Sequence, residues 1–251
     1  MAIFIFIIGL VLGSFYNVIG MRLPLNKSII KPGSHCLKCN HFLSWYENIP
    51  IISYLFLIGK CRKCKNKITL MYPAMELLTG LLFLFCYLIF GINEYFFISI
   101  IIASLLVVVF ITDALYMVIL DEAIIISGLL IFITTLIYSG IAPAFIMLRD
   151  GVVIFALLYL IMLFGNYLFK KESLGGGDIK LSFIAGMVLG PFMGIFYLVL
   201  ASFLALPYAL YLNAKKKNIL PFGPFLATSL LYCYLNHEAL IEFLNNFLLI
   251  N

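Results

Sequence analysis

Apolar residues run along this chain in long blocks separated by short polar connectors. The blocks at about 2–21, 74–91, 95–112, 122–139, 151–169, 179–191, 193–212 and 222–236 read as membrane-spanning helices. Helices are the natural choice, because backbone polar groups in lipid must satisfy one another. Residues 2–21 follow no basic segment and are too long for a signal-peptide core, so they are predicted as a first, uncleaved span. Residues 179–213 form one apolar stretch too long for a single crossing, and "LGPFMG" near its middle carries a turn signal at Gly190, Pro191 and Gly194. Splitting there leaves a first half of about 13 residues, short of a hydrocarbon core of about 30 Å, so this half is a re-entrant or partial span, or its turn sits inside the membrane against protein. The tail from Leu240 to Asn251 has the pattern of an interfacial amphipathic helix.

Composition agrees with this pattern. The 251 residues are 65% hydrophobic and 11% charged, far from a soluble domain. The expectation is an all-α polytopic membrane protein with about eight spans and one polar insert. It divides into the first helix at 1–21, the insert at 22–73 and a helical bundle at 74–251. The net charge of +5 is no sign of nucleic-acid binding, because basic residues of a membrane protein concentrate in its cytoplasmic loops. With the N-terminus outside, 15 of the 16 Lys and Arg residues become cytoplasmic, and only Arg149 lies outside. This asymmetry favours an even number of crossings, since merging the sixth and seventh spans would strand Lys215, Lys216 and Lys217 on the wrong side.

The insert carries two Cys-x-x-Cys pairs, Cys36/Cys39 and Cys61/Cys64. Two such knuckles present four sulfurs to a tetrahedral zinc, and a full thiolate shell leaves no position for water, so the zinc would be structural. Two disulfides or reduced thiols are the alternative, and disulfides do not persist on the cytoplasmic side. His35 and His41 flank the first pair as substitute ligands. Cys86 and Cys233 lie in apolar runs and read as packing residues.

Two carboxylates stand at the cytoplasmic edge, Asp113 after the third span and Asp178 before the sixth. Carboxylates at such places are functional candidates. A facing pair shares one proton, so that one member activates water while the other polarises a peptide carbonyl. Gly175, Gly176 and Gly177 before Asp178 leave room for an extended substrate strand. The plainer readings make Asp178 a helix cap and Asp113 an interfacial charge. Asp121 reads as the N-cap of the fourth span. Ser14 and Asn17 read as polar contacts between helices.

Together these motifs resemble the type IV prepilin peptidases, membrane aspartyl proteases that are often also N-methyltransferases. The resemblance rests on "GSFYNVIGMRLP" (13–24), both cysteine pairs, "SWYENIPIISYLFLIGKCRKC" (44–64), "YPAMELLTG" (72–80), the segment 113–121, "GGGDIKL" (175–181) and "PFGPFLA" (221–227). Leu120 stands where the family usually has proline. The resemblance implies that Asp113 and Asp178 are the catalytic pair. It further implies a substrate, a prepilin or pseudopilin in the bilayer of the bacterial cytoplasmic membrane, cut after a glycine on the cytoplasmic side. The new N-terminus would then be methylated from S-adenosylmethionine. Gly175, Gly176, Gly177, Lys180 and Glu76 are candidate substrate contacts, with Glu47 similarly open. A zinc-knuckle scaffold or transporter is the competing reading, and an intramembrane protease of another glycine-aspartate class is a third. The sequence sets neither the pilin system nor the oligomeric state.

Overall fold

The computed structural model describes residues 1–170, 174–215 and 220–248, apart from the side chains of 169, 247 and 248. Lys171, Lys216 and Lys217, used above for orientation, lie outside the described residues. The described chain is helical, with no strands beyond two isolated bridges in the insert. The helices are α1 (Ala2–Arg22), α2 (Ile52–Phe56), α3 (Met71–Phe90), α4 (Glu94–Tyr116), α5 (Asp121–Tyr138), α6 (Ile141–Phe169), α7 (Gly176–Ala214), α8 (Gly223–Leu235) and α9 (His237–Leu248). Six of them, α1 and α3 to α7, are long and apolar enough to cross a membrane. The chain forms two compact units, Met1–Gly91 and Ile92–Asn251. Helix α3, grouped by the sequence pattern with the C-terminal bundle, packs on α1 in the first unit.

Within the first unit α1 and α3 run antiparallel in a register that repeats every four residues. A Cβ on Gly9 would fall 2.7 Å from the Gly80 Cα, and one on Gly13 would fall 2.8 Å from the Glu76 Cα. Four residues further along α1, the Asn17 side chain donates to the Tyr72 carbonyl at 3.1 Å. Lipid supplies no hydrophobic drive between helices, so close backbone approach through small residues and a few hydrogen bonds carry the pairing. Ser14 adds a hydrogen bond to the Glu76 carboxylate. Ser14 and Asn17 thus join helices, as the sequence suggests.

In the second unit α7 covers 39 residues, but its helical geometry breaks at Gly190, with φ 75° and ψ 174°. In a straight helix Ser182 and Tyr197 would stand about 22 Å apart. Instead, the Ser182 and Tyr197 hydroxyls are hydrogen-bonded. Gly186 and Gly194 also meet, with the Gly186 Cα 3.7 Å from a Cβ built on Gly194. The two halves therefore fold back on each other as a helical hairpin. The turn signal in "LGPFMG" is real, and Gly190 adopts a backbone region that suits glycine alone. The first half, 176–189, is about 21 Å long and shorter than a hydrocarbon core. Helix α8 is shorter still, at 13 residues.

Around this hairpin α6 and α8 pack on α7, and α4 packs on α5 and α8. Tyr197 is fully buried, and its carbonyl accepts the Ser229 hydroxyl of α8 at 2.7 Å. Helix α6 begins at Ile141, ten residues before the expected span, and includes the Arg149–Asp150 ion pair at 2.7 Å. Cys86 and Cys233 are fully buried. Helix α9 has the amphipathic pattern expected of the tail, with Leu244 on its buried side.

Candidate active site and metal centre

The second unit gathers the ends of four helices around two carboxylates. Asp113 lies in the last turn of α4, where its carbonyl accepts the N–H of Met117, a left-handed C-cap at φ 56°. The Asp113 side chain is buried, and its Oδ2 accepts the backbone N–H of Gly223 at 2.8 Å. Gly223 is the first residue of α8, so this donor is one of the unpaired amides at a helix N-terminus, aimed at an anion. A Cβ on Gly223 would sit 2.9 Å from that same Oδ2. Glycine is required here by close approach.

Asp178 lies in the first turn of α7, and the N-cap is Gly175. The carboxylate is no cap, but it sits where the α7 dipole favours negative charge. Its Oδ2 would be 2.9 Å from a Cβ on Gly175. Gly177 and Gly223 both face Ile119, at 2.9 and 3.1 Å from their Cβ positions, so one side chain of the α4–α5 loop touches the starts of both α7 and α8. Asp113 lies within electrostatic range of Asp178. Gly176 has open space on its Cβ side. The two aspartates, 65 positions apart in sequence, therefore share one end of the bundle with two helix N-termini.

Asp121 takes a different part from the cap the sequence suggests, and its partner is Lys180. The N-cap of α5 is Leu120, whose extended backbone (φ −73°, ψ 124°) places Asp121 inside the first turn. Asp121 makes no cap. Both its oxygens accept the Lys180 ammonium at 2.7 Å, joining α5 to α7. The pair is about half exposed and contributes at most about 1 kcal/mol.

In the first unit all four sulfurs of Cys36, Cys39, Cys61 and Cys64 lie within 4.8 Å of one another. Cys36 is 3.7 Å from Cys64, and Cys39 is 3.9 Å from Cys61. A disulfide needs about 2.05 Å. Sulfurs bound to zinc at about 2.3 Å in a tetrahedron stand about 3.8 Å apart. The set therefore fits a metal ion, and neither of these pairs stands at disulfide distance. The two knuckles are built alike: Cys36 and Cys61 each accept from the residue four positions on, and Asn40 and Lys65 there have φ 54° and 57°. Backbone N–H groups of Cys39 and Lys38 hold the Cys36 thiol down at about 6. The His41 N–H favours the Cys39 thiolate, but loss of water and the neighbouring sulfurs push that thiol up to about 11. Four sulfurs so close together become thiolates only around a cation. A Cys36→Ser/Cys39→Ser protein is expected to bind less metal than the parent while remaining in the membrane, as checked by metal analysis of purified protein.

Neither histidine joins the cluster. His35 bonds the Gly33 carbonyl at 2.9 Å, and His41 lies 3.4 Å from Glu47 Oε2. Glu47 closes a capping box with Ser44, whose N–H, together with His41, holds the Glu47 carboxyl below the usual carboxylate range. Arg22, at the end of α1, reaches the carbonyls of Ser28, Pro32 and Gly33 and ties down the approach to Cys36. Glu76 is buried, with Oε2 taken by the Ile51 N–H at 2.7 Å. Its carboxylate thus binds the insert's own backbone and Ser14.

Residues 7–90 match the family model described as Bacterial Peptidase A24 N-terminal domain, and residues 100–210 match the Type IV leader peptidase family. A protein of Bacillus subtilis named prepilin leader peptidase/N-methyltransferase is 36% identical, with 95% of this chain and 96% of that protein covered. The chain belongs to the type IV leader peptidase family. Proteins of the same name in Myxococcus xanthus and Vibrio cholerae are 38% and 31% identical over 75% and 87% of this chain. The match spans 56% of the Myxococcus protein and 90% of the Vibrio protein. No solved structure matches. Like its family this peptidase is a membrane protein, with its apolar helices implying a bilayer.

Motif reading singles out Asp113 and Asp178, but it gives no individual part to Gly223 or Ile119. The signal for Gly223 is "PFGPFLA", a glycine and proline opening an apolar run. Ile119 carries no such signal, because its importance comes from lying between two helix starts.

Proposed function

We propose that this protein removes the leader of type IV prepilins or pseudopilins by aspartyl-protease chemistry. The observation that carries the reading is that Asp113 and Asp178 lie within electrostatic range of each other at one end of the bundle beside two helix N-termini, with a Gly223 amide on the Asp113 carboxylate. The two acids share one proton. The ionised member takes a proton from water as it attacks the scissile carbonyl, and the protonated member donates to the carbonyl oxygen. The positive end of α7 stabilises the negative charge that develops. Open space at Gly176 suits an extended substrate backbone, and the Lys180–Asp121 pair stands beside it as a candidate leader contact.

Eight helical crossings, with the N-terminus outside and the cysteine insert in the cytoplasm of a bacterial cell, suit this reading. The α7 hairpin returns the chain towards its starting end, which the even count requires. The metal is zinc, held by Cys36, Cys39, Cys61 and Cys64, and it supports the fold of the insert rather than the chemistry. The relatives' names add N-methyl transfer, so the new amino terminus is the acceptor in a second reaction that uses S-adenosylmethionine. Glu76, already bonded by Ile51 and Ser14, is poorly placed to receive that amine.

The test is incubation of the membrane-embedded protein with a prepilin and S-adenosylmethionine, followed by mass analysis of the product's N-terminus. Loss of the leader after its glycine is expected, with one methyl group gained. An intact leader with every prepilin tried overturns the protease reading, and a cleaved but unmethylated product overturns the second half alone.

A further inference from the structure

The insert shows an apolar surface that neither the cleavage chemistry nor the metal site uses. Helix α2 and the residue two positions beyond it expose Ile52, Leu55, Phe56 and Ile58, with Leu55 at 68% and Phe56 at 84%. Ile52, Leu55 and Phe56 line a shallow depression of about 330 Å³. A cluster of large exposed apolar side chains on one short segment marks an interaction surface.

The depth of this segment names its partner. The Ile51 N–H, just before α2, bonds Glu76 at 2.7 Å. Glu76 is five residues into α3, about 7.5 Å from the helix start. It also lies against Gly13 and Ser14 of α1, and Ser14 is eight residues, or about 12 Å, from the terminal Arg22. The hydrogen bond thus ties the start of α2 to a side chain set back from the ends of both spanning helices. It holds there although Ile51 must adopt φ 60°, a strained backbone for a β-branched residue. Interfacial helices sit about 5–10 Å into the boundary between headgroups and acyl chains, and a tether to side chains set back from the helix ends suits that zone.

Charge points the same way. Directly after the apolar segment come Lys60, Arg62, Lys63, Lys65 and Lys67, all exposed, and no acidic residue occurs between Glu47 and Glu76. An apolar wedge followed by an uncompensated basic cluster is the pattern of binding to anionic lipid.

We infer that α2 and the second cysteine knuckle form a lipid-binding foot of the insert. Ile52, Leu55, Phe56 and Ile58 enter the acyl boundary of the adjacent leaflet, and the five basic side chains lie among anionic headgroups. The metal-bound insert is then seated on the membrane surface and does not hang free on its two tethers. The inference depends on the spanning helices and not on the peptidase chemistry.

The chain contains one tryptophan, Trp45, which makes the test direct. The full-length protein carrying Trp45→Phe and Phe56→Trp is placed in nanodiscs of mixed neutral and anionic phospholipid. Lipids brominated near the headgroup end of the acyl chain should remove about half of its emission, while aqueous iodide should have little effect. A parallel protein with Leu55→Trp in the same background should behave alike, and zinc content checks that both insert domains are folded. Replacing Lys63, Lys65 and Lys67 by glutamate should make the bromine quenching weaker in anionic than in neutral nanodiscs. Iodide quenching equal to that of free tryptophan, without bromine quenching, overturns the inference. Shielding from both quenchers also overturns it, because the surface is then covered by protein, such as a second copy.

Discussion

Asp113→Asn and Asp178→Asn are each expected to lower leader cleavage by at least about 100-fold, the usual scale for losing a positioned acid or base. An asparagine keeps the size and much of the polarity of the side chain, so the Gly223 amide retains an acceptor and the protein should still accumulate in the membrane. The loss should appear in the turnover number and not in substrate affinity, since the protons move only as the peptide bond breaks. A single-turnover assay on membranes of matched protein content reads this directly. Near-normal cleavage by either variant would remove that aspartate from the mechanism. Loss of protein from the membrane would be the mark of a structural acid instead.

The second large effect concerns a residue with no chemistry of its own. Gly223→Ala places a methyl group 2.9 Å from Asp113 Oδ2, 3.0 Å from Val109 and 3.1 Å from the Ile119 side chain. No real Cβ tolerates all three neighbours unmoved. Either the carboxylate swings away or the start of α8 retreats, and both lengthen the bond from the Gly223 amide. A displacement of about 1 Å in a catalytic group can cost about 100-fold in rate, so a loss of that order is expected. Cleavage assays on the variant, with a thermal melt as control, separate the two causes. A melt close to the parent with impaired cleavage identifies misplacement of Asp113. Full activity would show that the amide contact is dispensable.

Much of this arrangement can be read along the chain, for physical reasons that differ from element to element. Spans α1, α3, α4 and α5 are legible because lipid imposes a minimum apolar length, and their ends fall within a few residues of the expected positions. The cysteine cluster is legible because four ligands at fixed spacing have few other uses. The aspartates stand out as charges that membrane helices normally avoid. The start of α6 is less visible, since Arg149 and Asp150 look like a connector but neutralise each other within a helix. Asp121 is misread as a cap because its partner, Lys180, is 59 positions away and nothing local announces it. Gly223 and Ile119 act through neighbours distant in sequence, and pattern alone does not reveal such contacts.

The backbone reversal at Gly190 has a consequence for the whole end of the bundle that holds the two aspartates. Were α7 straight, its 39 residues would extend about 58 Å, and α8 would begin far from the level of Asp178. Its free amide would then lie far from Asp113, which would lose that donor. A single residue with positive φ thus governs whether the Gly223 amide and the two aspartates are furnished from the same end of the bundle.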